Sequence, residues 1–277
     1  MGARLHINIP SPFLEAWIPL LELSGAVLEL PRPNGDEWVL LALARKAARS
    51  MYALASLASL NLWGDALVIG RSLFETELRV QWLLAGPYDE RVSEYLNEVG
   101  TEEARLQRKG RAGRSVSAKV LAATRVVGGP ATSSGGKARH NIRETAKPLD
   151  MERLYDLPYW ISSTFVHTGV LSLAEWHHAL ARADRQLAAM FSLGHRDLPC
   201  WLTLSGVPTS AIRTYRAIDD RLALGLGSRI GYVHKLLGEA VSRTSGVKFD
   251  PRVAVGEIVI GSSPDDPNAV RFSPNRD

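Results

Sequence analysis

The sequence predicts a mainly α fold, a helical bundle with a basic Gly/Ser-rich insertion and a short β-like C-terminal tail. Three observations carry that prediction. Residues 37–62 contain no Gly or Pro and are rich in Ala and Leu, a composition that favours helix. Within them Leu41, Ala44, Ala48, Met51, Ala55 and Ala58 recur at spacings of three and four, the signature of one helix face. Strand-like sequence is limited to Val253–Ile260, near the end of the chain, and to a short strand that residues 1–35 offer as the alternative to an arm.

Composition bounds the rest. The chain has 277 residues, 45% hydrophobic and 22% charged, which excludes a disordered, collagen-like or disulfide-scaffold protein. A single cysteine, Cys200, cannot staple the fold or build a Cys-rich zinc site, and it suits a reducing compartment. The first seventeen residues lack a basic segment followed by an apolar core, so no signal peptide is expected. The longest apolar runs are interrupted by Arg45 and Lys46 or by Arg71, short of the ~18–20 residues a membrane helix needs. The expectation is a cytoplasmic protein with no membrane partner.

Taken in order, residues 1–35 carry Pro10, Pro12, Pro19, Pro31 and Pro33, which predicts an irregular N-terminal arm without a long helix. A helical domain is expected over 36–245. Its first helix spans 37–62, and Gly64 separates it from a second that runs from about Asp65 to Leu84 and stops before Gly86-Pro87. The short link predicts an antiparallel hairpin. A third, more polar helix is expected from Tyr88 to Gln107. Residues 110–147 are dense in Gly and Ser and read as a mobile basic insertion. Residues 101–150 hold 11 Lys+Arg against 4 Asp+Glu, so this stretch carries +7 of a chain whose net charge is +4. Helices are expected again at about 150–168, at 173–194 behind the Ser172/Glu175 capping box, from Thr209 or Ser210 to about Leu224, and from Ser228 to about Ser242, with 195–208 as a loop. Residues 246–277 form the strand-like or irregular tail.

A polar cluster falls on an apolar seam. On the second helix Val68, Arg71, Glu75, Leu78 and Trp82 are spaced three, four, three and four, which places them on one stripe. Arg71 and Glu75 stand where leucines would be expected, one turn apart, and must be paired or solvated. Downstream, Tyr159, Ser163 and His167 are each four apart and share a face among Trp160, Ile161, Phe165 and Val166. Packing these faces together would gather guanidinium, carboxylate, phenol, hydroxyl and imidazole in one pocket. There Arg71 would hold an anion, His167 would exchange protons near neutrality and Glu75 would orient one of them, with Tyr159 and Ser163 as supporting binding groups. The same cluster would equally serve to fix helix register.

The string Gly70-Arg71-Ser72-Leu73-Phe74-Glu75, followed by Tyr159-x3-Ser163-x3-His167, resembles a widespread family of uncharacterised helical bacterial proteins with an Arg-Ser-Leu-x-Glu helix and a later Ser-x3-His helix. The resemblance covers roughly residues 40–170. It implies a helical fold and supplies no activity. The long basic loop departs from the family's compact pattern.

Other motifs weigh less. Arg229-x4-His234 fits the Arg-x4–6-His signature of helical, metal-independent ribonucleases of toxin and defence systems, but that spacing is common by chance and Ile230 replaces the usual polar residue. Glu175-x2-His178 is a single copy of a spacing that di-iron bundles use twice, so no metal is expected. Gly128–Lys137 lacks the glycine and hydroxyl of a phosphate loop, with Ala131 and Ala138 in their places, so no nucleotide cofactor is expected. Arg108, Arg111, Arg114, Lys137 and Arg139, within a basic segment at 105–147, could lie along nucleic-acid phosphates, although the segment has no aromatic residue for base stacking.

Two functional readings follow. The first is a nucleic-acid-associated helical protein in bacterial defence or stress, with a metal-independent nuclease or phosphotransfer-type site at Arg71, Glu75 and His167. The second is a non-catalytic helical module that binds a protein, a nucleic acid or its own copy, with the cluster holding the core.

Overall fold

The computed structural model describes residues 3–8, 11–33, 35–60, 62–97, 142–151, 200, 202–244, 255–260 and 270–274. These form a mainly α structure. Its helices are α1 (Ser11–Glu29), α2 (Trp38–Ser59), α3 (Trp63–Leu84), the short α4 (Ile142–Ala146), α5 (Gly206–Leu222) and α6 (Gly227–Thr244), with a further helical stretch over 88–97. Three strands, β1 (Ala3–Asn8), β2 (Val255–Ile260) and β3 (Val270–Pro274), pair antiparallel in the order β1-β2-β3. Ala3 lies opposite Ile260 and Asn8 opposite Val255, so the sheet joins the two ends of the chain.

The Ala-rich stripe of α2 is core along its whole length: Leu41, Ala44, Ala48, Met51, Ala55 and Ala58 are all buried. Small side chains there let α1, α3 and α5 approach α2 closely. The α2–α3 connection is three residues long, and the Leu57 carbonyl accepts from the amides of both Leu60 (3.1 Å) and Leu62 (2.9 Å). So tight a link forces the antiparallel hairpin that the sequence predicts.

The arm expected at 1–35 is instead largely the nineteen-residue helix α1. Pro12 falls in its first turn, where a missing N–H costs nothing because that donor has no intrahelical acceptor. Pro19 lies inside the helix, on the side carrying the exposed Glu15 and Glu22. The carbonyl it leaves unbonded is Glu15's own, so water can reach it. The helix buries Phe13, Trp17, Leu20, Leu21, Leu23 and Val27, and that burial outweighs the one lost hydrogen bond. Trp17 donates its indole N–H to the Leu204 carbonyl at 3.1 Å. The Ser24 hydroxyl donates to the Leu20 carbonyl (2.8 Å) and accepts from the Tyr215 hydroxyl (2.9 Å). Both contacts tie α1 to the α5 end of the chain.

The loop expected at 195–208 is helical at 202–204, and α5 begins at Gly206, three residues before the hydroxyl residues at 209 and 210. The α5–α6 turn is built on Asp219. Its main-chain oxygen accepts from Ala223 N–H (2.8 Å) as α5 ends, and its carboxylate accepts from Leu226 N–H (3.0 Å) as α6 begins. Ala223 (φ 51°) and Gly225 (φ 73°) take the left-handed conformation that the reversal requires.

At 142–151, α4 and a 3-10 turn (Lys147–Leu149) fold onto α3, where Ala146 and Met151 bury against Phe74 and Leu78. The helices expected at 150–168 and 173–194 lie outside the described residues, as does most of the basic insertion. Among the described residues no helix is long and apolar enough to cross a membrane.

Candidate functional site: two polar centres on one helix

Helix α3 is buried round most of its circumference. Two polar groups sit on different sides of it.

The first is the pair singled out by the sequence. Arg71 Nε donates to Glu75 Oε1 at 3.0 Å, an i,i+4 ion pair. The side chains are 23% and 34% exposed, so the pair lies at the edge of the core. On its stripe Leu78 and Trp82 are buried while Val68 is only half-buried. The seam is therefore sealed only in its second half.

The second was not anticipated. Ala66, Gly70, Leu73, Glu77 and Val80, spaced four, three, four and three, are all buried. This seam meets α5 so closely that a Cβ on Gly70 would stand 2.5 Å from Val207 Cγ2. Glu77 is the charged member, with its side chain 1% exposed. Its Oε1 faces Arg213 Nη1 of α5 at 3.5 Å, and Arg213 is 45% exposed. Glu77 Oε2 is buried without a hydrogen-bond partner among the described residues. Burial raises the Glu77 carboxyl from 4.5 to about 7, and the Ser210 hydroxyl and the Arg213 charge pull it back only in part. Ser210 and Arg213 are i,i+3 on α5 and so present one face to α3.

Arg213 faces a cleft of about 480 Å³ between the end of α3, the 147–151 turn and α5, and the buried Glu77 lies in its wall. Gln81, Leu84, Leu149, Asp150 and Met151 complete its wall. Asp150 is held in the left-handed conformation (φ 53°) at the end of that turn.

At the C-terminal end of α3, cations pack on aromatic faces. Arg79 lies 5.4 Å from the Trp82 ring and 5.0 Å from the Tyr95 ring, and Arg91 lies 5.2 Å from Trp82 and donates to its carbonyl. These contacts fasten the 88–97 helix to α3.

Of the residues expected at the site, the structure brings Arg71 and Glu75 together. His167, Tyr159, Ser163, Arg108, Arg111, Arg114, Lys137 and Arg139 lie outside the described residues, as do Glu175, His178 and the Gly128–Lys137 stretch. Arg229 and His234 are both exposed on α6, about 140° apart round the helix axis, and so do not share a face. Among the described residues no three His, Cys, Asp or Glu side chains gather as a metal-binding group. The signal that would have found Glu77 is the second seam itself. A glutamate on the stripe that also carries Gly70 is enclosed by whatever helix the glycine admits.

Fold and centres define a class: a helical protein whose third helix carries a partly exposed Arg–Glu pair and a sealed carboxyl. Within that class the chain belongs to a family of unknown function, DUF5677, whose model matches residues 37–184. That span holds Arg71, Glu75, Ser163 and His167. No curated protein and no solved structure matches the chain.

Proposed function

We propose that the chain is a nucleic-acid-associated helical protein whose Arg71–Glu75 pair forms the anion-handling part of a small metal-independent nuclease or phosphotransfer-type site. The observation that carries the reading is the position of the pair at the rim of the core. A partly exposed i,i+4 ion pair contributes about 0.5 kcal/mol to stability. At the rim, Arg71 can meet a phosphate without first being desolvated, and Glu75 fixes the direction of its guanidinium. His167, four residues after Ser163, supplies the group that titrates near neutrality. The +7 segment at 101–150 supplies the phosphate affinity that would bring RNA or DNA to the site.

The test is cleavage of a fluorescent single-stranded RNA in EDTA by the full chain and by Arg71→Ala, Glu75→Ala and His167→Ala. The expected result is activity that falls by about a hundredfold or more in Arg71→Ala and His167→Ala, while every variant melts within about 5 °C of the wild type. A wild-type chain that neither binds nor cuts RNA, or Arg71→Ala and Glu75→Ala variants that unfold, would overturn it. The unfolding result would make the cluster a structural element of a non-catalytic module.

A further inference from the structure

The cleft beside Glu77 is a separate place from the Arg71–Glu75 rim. Glu77 follows Glu75 by two residues, about 200° round α3. Its volume, about 480 Å³, falls in the range of small-molecule sites, ~300–1,000 Å³.

We propose that this cleft binds a small organic anion, a carboxylate or phosphate monoester on a short apolar body, with Arg213 gripping the anionic group. Arg213 has five N–H donors, and the described residues engage one of them, at the long distance of 3.5 Å. Its side chain is 45% exposed and forms part of the cleft wall, so the remaining donors are within a ligand's reach. Behind it Glu77 is sealed at 1% exposure and cannot itself meet a ligand of any size. Glu77 acts instead as a buried anchor that holds the guanidinium against α3. Burial raises its carboxyl to about 7, so at neutral pH about half of it is neutral and the anchor cancels only part of Arg213's positive charge. Gln81, one turn on from Glu77, adds an amide donor on the same wall. Leu84, Leu149 and Met151 supply the apolar surface for the ligand's body. Asp150 is the competing charge. It is exposed at the lip, where water screens it, and it would recruit a cation if the charge preference were reversed.

The experiment is calorimetric titration of the full chain at neutral pH with phenyl phosphate, benzoate and benzylammonium. At least one of the two anions should bind saturably, one per chain, with a Kd between about 10 μM and 1 mM, and benzylammonium should not. Comparison of the two anions distinguishes phosphate from carboxylate as the natural head group. Arg213→Lys keeps the charge but loses the planar fork, and should weaken binding by about tenfold. Gln81→Leu should weaken it severalfold, and Lys46→Ala, an exposed cation on α2, should leave it unchanged. Arg213→Ala should abolish it. If that variant does not fold, Arg213→Lys and Gln81→Leu decide. The proposal is overturned if neither anion saturates below about 10 mM, if benzylammonium binds instead, or if Arg213→Lys and Gln81→Leu both bind like the wild type. Because the proposed RNA cleavage rests on Arg71 and not on Arg213, this site and the proposed nuclease site can fail independently.

Discussion

A carboxyl that is 1% exposed and raised to about 7 makes stability depend on pH in a definite direction. The folded chain holds the Glu77 proton more tightly than the unfolded chain does. The stabilisation is therefore fully present below the unfolded value of 4.5 and is lost as pH rises through about 7. The size of the shift corresponds to about 3 kcal/mol. Glu77→Gln mimics the neutral acid at every pH and should not show this loss. Denaturant unfolding at about pH 4.5 and pH 8 should show the wild type losing about 3 kcal/mol relative to the variant across that interval. Parallel curves would mean that the carboxyl is not buried in solution. This residue was legible in the sequence only in hindsight. Arg71 and Glu75 stand out because the rest of their stripe, Val68, Leu78 and Trp82, is apolar, and the structure brings them together as an i,i+4 pair. Glu77 satisfies the same criterion on another seam. Periodicity within one helix marks charged residues on apolar stripes but does not say which stripe a partner covers, and the partner, α5, lies some 130 residues further on in the sequence.

The α3–α5 contact at the level of elements rests on a missing side chain. A Cβ on Gly70 would stand 2.5 Å from Val207 Cγ2, and a β-branched valine has few rotamers to retreat into. Gly70→Ala gains about 1 kcal/mol of helix propensity but pushes the helices apart, so the net expectation is a loss of about 1–3 kcal/mol. Val207→Ala in the same chain should restore part of that loss, and a double-mutant cycle on unfolding free energies measures it. A Gly70→Ala variant as stable as the wild type would mean that α3 and α5 are not in close contact. Element prediction succeeded where composition and period agreed. The α2 stripe is buried at every expected position, and α6 begins at Gly227, beside the expected Ser228. At α1 the number of prolines argues against a long helix while their positions permit one. Pro12 sits in a first turn, where it costs little, and the cost of Pro19 is outweighed by the apolar side chains that α1 buries. The start of α5 came earlier than the Thr209 and Ser210 hydroxyls suggested. Those side chains lie inside the helix, and the Thr209 hydroxyl donates back to the Ser205 carbonyl at 2.8 Å.

On the scale of the whole chain, the family match and the folding unit do not coincide. The match at 37–184 contains α2, α3 and α4 but excludes α1, α5 and α6. Those excluded helices supply the partners of the matched ones: α5 packs on α2 and α3, and α1 packs on α2 and α6. One continuous apolar core runs from Phe13 and Trp17 through Met51 and Leu73 to Tyr215 and Leu237. The polar contacts inside it, Trp17 to Leu204 and Tyr215 to Ser24, also join the two ends of the sequence. A segment comprising 37–184 would therefore expose the Ala66–Gly70–Leu73–Val80 face of α3 and leave Glu77 without Arg213. Expressed alone, that segment should keep helical far-UV circular dichroism but bind a hydrophobic dye and melt without a cooperative transition, as a loosely packed state does. The full chain should unfold in a single step reported alike by far-UV and near-UV signals. A fragment of 37–184 that melts cooperatively would place the core within the matched region and make α1, α5 and α6 an attachment to it.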